Sequence, residues 1–474
     1  MLRKVSVAMS FLCMILFALG QPPSNHGRLK VTADGHYLEY EDGTPFFWLG
    51  DTAWELFHRL KKEEIEKYLQ NRKRKGFNVI QAVILAEFDG LKKPNQYGEV
   101  PLKNLDPTQP NEKYFELVDW TVQQALKKNM FVGLLPTWGD KVIKMWGQGP
   151  VIFNETNAYT YGKWLGRRYK SSTNVIWILG GDRPPVNDSI DRKAVWRAMA
   201  NGILEGTDQK AFITYHPSGE SSSTKFWPDE SWLSIHMIQS GHARKDIPVW
   251  EWIQRDREVK PVKPVLDGEP NYEDHPINWD KNNGYFRDYD VRRQCYRSVF
   301  SGACGVTYGN QAMWQFYSDR EQPVAYPERS WIETLDRPGA YQVGYLKKLI
   351  ESRSITGRVP DQSIIIKGQG EKNEYATSFR DATNRYCMIY LPVGKGISVR
   401  TDFLDSKTIL IWWFEPRSGK VASFHILERK SEMNLEVPNS GDANDWVLVL
   451  DNPKYKFGAP GEKSNNEKYT MINH

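Results

Sequence analysis

From Pro45 to Ser352, short apolar runs alternate with amphipathic segments eight times over, and this alternation constrains the fold more than any other feature of the chain. The apolar runs are Pro45 to Asp51, Phe77 to Leu85, Met130 to Leu135, Asn174 to Leu179, Ala211 to Tyr215, Trp232 to Met237, Val262 to Leu266 and Gly305 to Tyr308. Each has the length and apolar content of a buried strand. Between them lie segments of helical period. Lys61 to Lys75 places Ile65, Tyr68 and Leu69 on one face, and Asn111 to Asn129 does so with Phe115, Val118, Val122, Ala125 and Leu126. Arg287 to Ser301 repeats Val291, Cys295 and Val299 every fourth residue. Thr156 to Tyr169, Asp191 to Leu204, Pro248 to Arg257 and Gly339 to Ser352 complete the set. The fifth unit breaks the rhythm, because Ser218 to Glu230 reads as loop. Strand–helix alternation of this length predicts an α/β fold, a (β/α)8 TIM barrel.

The grammar differs on either side. Residues 28–47 alternate apolar and polar around two Asp-Gly pairs, a hairpin signal. Beyond Arg358 the chain becomes short β runs at Ile364–Ile366, Tyr375–Phe379, Tyr386–Leu391, Leu410–Phe414 and Trp446–Leu450, separated by turns such as Arg417-Ser418-Gly419-Lys420. This predicts a C-terminal antiparallel β-sandwich over 358–460, with a polar tail over 461–474. At the other end, Arg3 and Lys4 precede an apolar run from Val5 to Leu19 and the small residues Ala18 and Gly20. That is the pattern of a signal peptide over 1–20, which makes the barrel with its hairpin residues 21–357 and predicts an exported protein, periplasmic or on the cell surface. No later run is long and apolar enough to span a bilayer.

Charge and cysteine content exclude several classes. The net charge of +5 falls to +3 without Arg3 and Lys4, too little for nucleic acid but compatible with an acidic polysaccharide. Beyond Cys13 the cysteines are Cys295, Cys304 and Cys387, an odd number without metal-ligand spacing. Cys295 and Cys304 could pair, although buried free thiols are the expected state. Neither a metal nor a cofactor is called for. The 18 tryptophans suit the apolar faces of sugars, and most of them are also needed to fill cores.

Two stretches carry the chemistry. Val262 to Leu266 ends abruptly in Asp267-Gly268-Glu269-Pro270, and Asn174 to Leu179 ends in Gly180-Gly181-Asp182. One acid after a strand is ordinarily a turn or capping residue. Two of them, each set off by glycine or proline, sit where a TIM barrel keeps its functional loops, after strands four and seven. Glycoside hydrolysis needs one carboxyl group that stays protonated and a second that is ionised. Glu269 is the expected nucleophile. Asp182 is the expected acid/base, its proton retained by the nearby anion and by apolar walls such as Trp177. A separation near 5 Å would imply retention of configuration, and roughly 6.5–9.5 Å inversion. Asp267 should point away from Glu269 by strand alternation.

The segment Trp48-Leu49-Gly50-Asp51-Thr52-Ala53-Trp54, together with Gly180-Gly181-Asp182 and Gly268-Glu269-Pro270, resembles the apiosidase-like glycoside hydrolases of family 140. The resemblance covers almost all of the chain beyond the leader. It implies a barrel followed by a collagen-binding-type domain, and hydrolysis of the apiose–galacturonic acid linkage in the pectin rhamnogalacturonan II. It assigns the acid/base role to Asp182 and the nucleophile role to Glu269, with an oligo- or polysaccharide as the partner. The alternatives are a glycosidase on another plant or host glycan, or a noncatalytic glycan- or matrix-binding protein.

Further residues at strand ends are candidates for sugar binding. Asp51 and Trp54 follow strand one, although Asp51 also precedes a possible Thr52-x-x-Glu55 capping box. Gln81 and Glu87 bracket the end of strand two, and Trp138 and Asp140 follow strand three. His216 and His236 end strands five and six, where they could orient Glu269 or touch sugar, and Gln311 and Trp314 follow strand eight. Each has an ordinary structural alternative in core filling or loop bonding.

Overall fold

The computed structural model describes residues 26–462, so the predicted leader and most of the polar tail lie outside the described residues. Eight parallel strands form the barrel: β1 (Trp48–Thr52), β2 (Val79–Leu85), β3 (Phe131–Thr137), β4 (Val175–Gly180), β5 (Ile213–His216), β6 (His236–Gln239), β7 (Val265–Asp267) and β8 (Gly305–Tyr308). Their hydrogen-bonded order runs β5-β4-β3-β2-β1-β8-β7-β6. The seam between β5 and β6 is bridged by the Ser234 amide donating to the Ile213 carbonyl at 2.7 Å and the Thr214 hydroxyl donating to the Ile235 carbonyl at 3.0 Å. Strand alternation divides the apolar residues in two. Trp48, Val79, Val83, Ile176, Ile178, Met237 and Leu266 fill the barrel's interior, while Leu49, Ile80, Ala82, Trp177 and Tyr215 face the helices. Trp177 is therefore not a wall of the Asp182 environment, contrary to expectation.

Seven long helices wrap the strands: α1 (Lys62–Arg74), α2 (Glu112–Lys127), α3 (Glu155–Arg168), α4 (Lys193–Gly206), α5 (Val249–Arg257), α6 (Asp288–Phe300) and α7 (Pro338–Glu351). The predicted stripes are the buried ones, with Ile65, Tyr68 and Leu69 on α1 and Phe115, Val118, Val122 and Ala125 on α2. Leu126, at the stripe's edge, is exposed instead. No helix follows β5. Its place is taken by a two-residue strand, Ser221–Ser222, paired antiparallel to β6, and by a single 3-10 turn. The predicted hairpin is a three-stranded antiparallel sheet, Leu29–Val31, Leu38–Tyr40 and Pro45–Phe46, whose Tyr40 and Phe46 pack against Phe131 at the start of β3. Among the described residues no helix is long and apolar enough to cross a membrane.

The C-terminal domain pairs a six-stranded antiparallel sheet with a three-stranded one around Ile389, Val399, Ile411, Trp413, Leu448 and Leu450. Three of its strands go unannounced in the sequence: Ile397–Arg400 alternates in burial but spans only four residues, and Lys420–Glu428 and Glu432–Leu435 are mostly exposed. The domain docks on α6. That helix is buried on every side from Asp290 to Phe300, because Val291, Cys295 and Val299 face the barrel while Tyr296 and Phe300 meet Tyr390 and Phe379 of the sandwich. Two buried ion pairs cross the junction. Arg292 grips Asp445 with both bonds at 2.8 Å, and Arg353 grips Asp451 at 3.0 and 2.7 Å. Cys295, Cys304 and Cys387 are buried free thiols.

Candidate active site

The loops after the strands' carboxyl ends enclose a cavity of about 540 Å³, lined among others by Trp54, Glu87, Trp138, Asp182, Gln239, Glu269 and Trp314. Both predicted carboxylates thus open into one hollow.

Asp182 is delivered by a sharp turn. Gly180, Gly181 and Asp182 have φ of +88°, +100° and +58°, three successive residues in the left-handed region. Only glycine fits at the first two positions. A Cβ on Gly180 would lie 2.3 Å from the His216 carbonyl, and one on Gly181 would lie 2.8 Å from the Gly139 amide. Asp182 itself, a non-glycine held at positive φ, is strained in the way functional residues often are. Its side chain lines the cavity with 24 % of its surface still accessible. Burial, and next the charge of Glu269, raise its proton affinity, while Arg183 opposes them. Arg183 Nη1 lies 3.0 Å from Asp182 Oδ2, and its Nη2 lies 3.2 Å from Oε1 of Glu87. Glu87 is pushed up to about 7, by burial first, with Asp182 and Asp140 adding to the effect against Arg183. Two of the cavity's acids therefore have a raised affinity for protons, Asp182 and Glu87.

Glu269 is the opposite case. It follows Gly268, where a Cβ would lie 2.6 Å from the sulfur of Met237. Its carbonyl accepts from the Gly241 amide at 2.9 Å, and the Gly268 amide donates to Ile238 at 2.8 Å. Nε2 of His242 donates to Oε1 at 2.8 Å. Nε2 of His216 lies 2.9 Å from Oε2, at ion-pair distance but off the line of a hydrogen bond. Burial alone would favour the protonated form, but the two histidines outweigh it and hold this carboxyl well below the usual range. One cavity thus contains a carboxyl group driven to keep its proton and another driven to lose it, the division of labour an acid and a nucleophile require.

The other predicted residues divide. Trp54, Glu87, Trp138 and Trp314 line the cavity. Trp54 and Trp138 also pack on the His216 ring, at 5.3 and 6.1 Å between centroids, so His216 is fixed between aromatic walls and Glu269. Five expected sugar-binding residues are placed otherwise. Asp51 points out of the barrel, where Tyr68 and Arg72 of α1 bond it at 2.5 and 2.6 Å. Glu55 is buried against His58 at 2.6 Å rather than closing a capping box. Gln81 lies in the barrel interior and donates to the Gly268 carbonyl at 3.1 Å, supporting the Glu269 peptide from below. Asp140 is buried beneath the cleft, paired with Lys141 at 2.7 Å and accepting from the Gly149 amide at 2.9 Å. Gln311 ties down the loop at Val324 and Ala325 and accepts from the Trp314 indole at 3.1 Å. His236 is corrected most clearly. Strand six begins at His236, which pairs with Val265, and ends at Gln239, so His236 is at the far end of the barrel from the mouth. Burial, and then Lys263, lower it to about 4.

That strand shift hid Gln239 and His242, which follow from the true end of β6. Tyr272, Asn278, Trp279 and Trp146 also line the cavity without having been singled out. They lie deep in the loops after β7 and β3, where no periodic signal reaches. Asp267 faces outward as alternation requires, accepting from Ser240 and Ser298. Among the described residues no group of three or more histidine, cysteine or acidic side chains is placed to hold a metal.

A closed (β/α)8 barrel with two such carboxyl groups after its fourth and seventh strands defines the class: a glycoside hydrolase. More particularly, the chain belongs to the apiosidase-like family, whose catalytic-domain model matches residues 32–357. Residues 359–451 match a domain described as the collagen-binding domain of a collagenase. A glycoside hydrolase family 5 crystal structure from Bacteroides vulgatus ATCC 8482 is 30% identical over 94% of this chain and 96% of its own, with a TM-score of 0.85. A second structure, described as a glycoside hydrolase, is 32% identical over 91% of this chain and 98% of its own, with a TM-score of 0.83. No curated protein matches the sequence.

Proposed function

We propose that the enzyme releases apiose from side chains of pectic rhamnogalacturonan II, with Asp182 as acid/base and Glu269 as nucleophile, retaining the configuration of the anomeric carbon. The observation that carries the reading is that Asp182 and Glu269 open into one cavity, with His216 and His242 within 2.9 and 2.8 Å of the Glu269 carboxylate and Arg183 3.0 Å from Asp182. Asp182 would protonate the departing oxygen while ionised Glu269 attacks the anomeric carbon. Water activated by the resulting Asp182 carboxylate would then release the sugar. His216 and His242 keep Glu269 ionised and aimed. Membership of the apiosidase-like family supports apiose as the sugar. The lining supports a neutral sugar at the cleavage point, because Glu87, Asp182, Glu220 and Glu269 face the cavity and, among the described residues, no lysine or arginine lines it. An acidic galacturonate would therefore lie outside the cavity, on the leaving-group side. The buried contacts that fasten the sandwich to α6 support a buttressing role for that domain. The leader pattern supports export.

The test is incubation of the protein with rhamnogalacturonan II fragments, with the products followed by NMR. Free apiose appearing first in the substrate's anomeric configuration supports the reading. Initial appearance of the opposite anomer would exclude retention. Absence of apiose, with cleavage of another neutral-sugar glycoside, would exclude the substrate.

A further inference from the structure

Two tryptophans at the rim of the cavity are unexplained by the two-carboxylate chemistry. Trp146 is 46 % exposed and Trp279 is 50 % exposed, yet both line the hollow. They stand on the loops after β3 and β7, four strands apart in an eight-stranded ring and hence on opposite sides of the mouth. Bare indole surface in water is unfavourable unless something covers it.

Both rings are also held in place. The Arg183 guanidinium covers one face of Trp146, 4.0 Å from the ring centroid, and donates to the Trp146 carbonyl from Nε at 3.1 Å and Nη2 at 2.9 Å. Trp279 stands edge-on against His275, with centroids 4.5 Å apart and planes at 88°. Its backbone, with that of Asn278, is in the left-handed region, at φ of +61° and +53°. Bulky residues rarely adopt that conformation. It is stabilised here by the Asn278 amide donating to the His242 carbonyl at 2.8 Å. Rigid, half-bare indoles on facing walls suit the flat apolar faces of sugar rings.

We propose that Trp146 and Trp279 form an outer sugar-binding site, taking the sugar units beyond the one whose bond is cleaved, so that the enzyme's substrate is an extended or branched glycan rather than an isolated glycoside. The proposal rests on the hydrolase reading above and specifies its substrate class. It also has an internal consequence. Arg183 touches Trp146 on one side and Asp182 on the other, so a sugar pressed onto Trp146 stiffens the group that positions the acid. Binding energy gained remotely then appears in kcat as well as in KM.

The experiment uses Glu269→Gln protein, with Trp146→Ala and Trp279→Ala added singly and together, and calorimetric titration. The probes are rhamnogalacturonan II side-chain fragments and neutral xylo-, manno- and galacto-oligosaccharides of increasing length, each against its terminal monosaccharide. The expected result is affinity that rises with length for at least one series, and a loss of about tenfold for its longer members in each tryptophan variant. In the active enzyme, Trp146→Ala should lower kcat and raise KM, whereas Trp279→Ala should act mainly on KM. Affinity independent of length in every series would overturn the proposal. So would length-dependent binding that the tryptophan variants retain. Hydrolysis by the wild type without length dependence would remove the outer site and leave the hydrolase reading intact. Tryptophan-dependent binding without hydrolysis of any probe would do the reverse.

Discussion

Nε2 of His242 lies 2.8 Å from Oε1 of Glu269, and the His242 ring is stacked in turn on His275, with centroids 4.5 Å apart and planes at 29°. The acid that must be ionised is thus held by a ring that is itself held. Glu269 has a depressed affinity for protons because the histidine contacts outweigh burial. Activity should therefore persist to low pH and fall only as Glu269 takes up its proton. His242→Phe removes one contact and leaves the burial. The acidic limb of the kcat/KM profile should then move to higher pH, by about one to two units if the bond has the strength usual for a charged acceptor. An acidic limb unmoved in the variant would show that His242 does not govern Glu269.

Asp182 and Glu269 should be unequal in their response to substitution. Asp182→Asn removes the proton donor, and kcat should fall about 10²- to 10⁴-fold for substrates with poor leaving groups. The loss should be far smaller for an activated aryl glycoside, which leaves without protonation. Glu269→Gln should abolish turnover of both substrates. It should also lower the proton affinity of Asp182, since the Glu269 charge is one cause of its elevation. Carboxyl-resolved NMR titration of the two proteins checks the last point, and an Asp182 midpoint unchanged by Glu269→Gln would contradict the coupling.

Asp267 provides a stability counterpart. Its carboxyl is fully buried and pushed up to about 6, by burial first, despite accepting from the Ser298 and Ser240 hydroxyls. An acid whose proton affinity is raised by folding favours the native state below its unfolded midpoint, near 4, and loses that contribution as pH rises through its folded midpoint. Asp267→Asn should therefore stabilise the protein at pH 8, by about 1–3 kcal/mol. The gain should shrink as pH is lowered from 6 toward 4. Denaturant melts at several pH values measure this directly, and a gain that grew toward acid would reverse the assignment.

The two carboxylates and the barrel were legible in the sequence because both follow from local grammar. Val265 to Asp267 is an apolar run stopped by glycine and proline, and α1 carries its stripe at helical spacing. What was not legible depended on register and on distance along the chain. The apolar run Trp232 to Met237 puts strand six about three residues early, which draws in His236 and leaves out Gln239 and His242. By sequence Asp51 is a candidate for sugar binding because it ends a strand. It faces outward because Arg72, twenty-one residues later on α1, provides a buried cation for it. Trp146 and Trp279 lie in aperiodic loops, and only closure of the barrel shows that they face each other. The second buried face of α6 was hidden for the same reason, since a periodicity argument seeks one partner and this helix has two.

That double burial makes the domain junction the last point to test. Arg353 and Asp451 are both inaccessible to solvent, and Asp451 also accepts from the Trp412 indole at 2.9 Å. A buried pair is costly to form but far costlier to break on one side, because the remaining charge has neither water nor partner. Arg353→Met should destabilise the protein by about 3–5 kcal/mol. Adding Asp451→Leu removes the stranded charge, so the double variant should be more stable than the Arg353→Met single. A thermodynamic cycle from denaturant unfolding gives the coupling. Arg353→Met melting within about 0.5 kcal/mol of wild type would place the pair among surface contacts rather than in a sealed interface. The sandwich would then be a loosely attached module, and the barrel should keep its activity without it. If the pair is sealed, truncation after Gly357 bares Tyr296 and Phe300 on α6, and the isolated barrel should aggregate rather than turn over substrate.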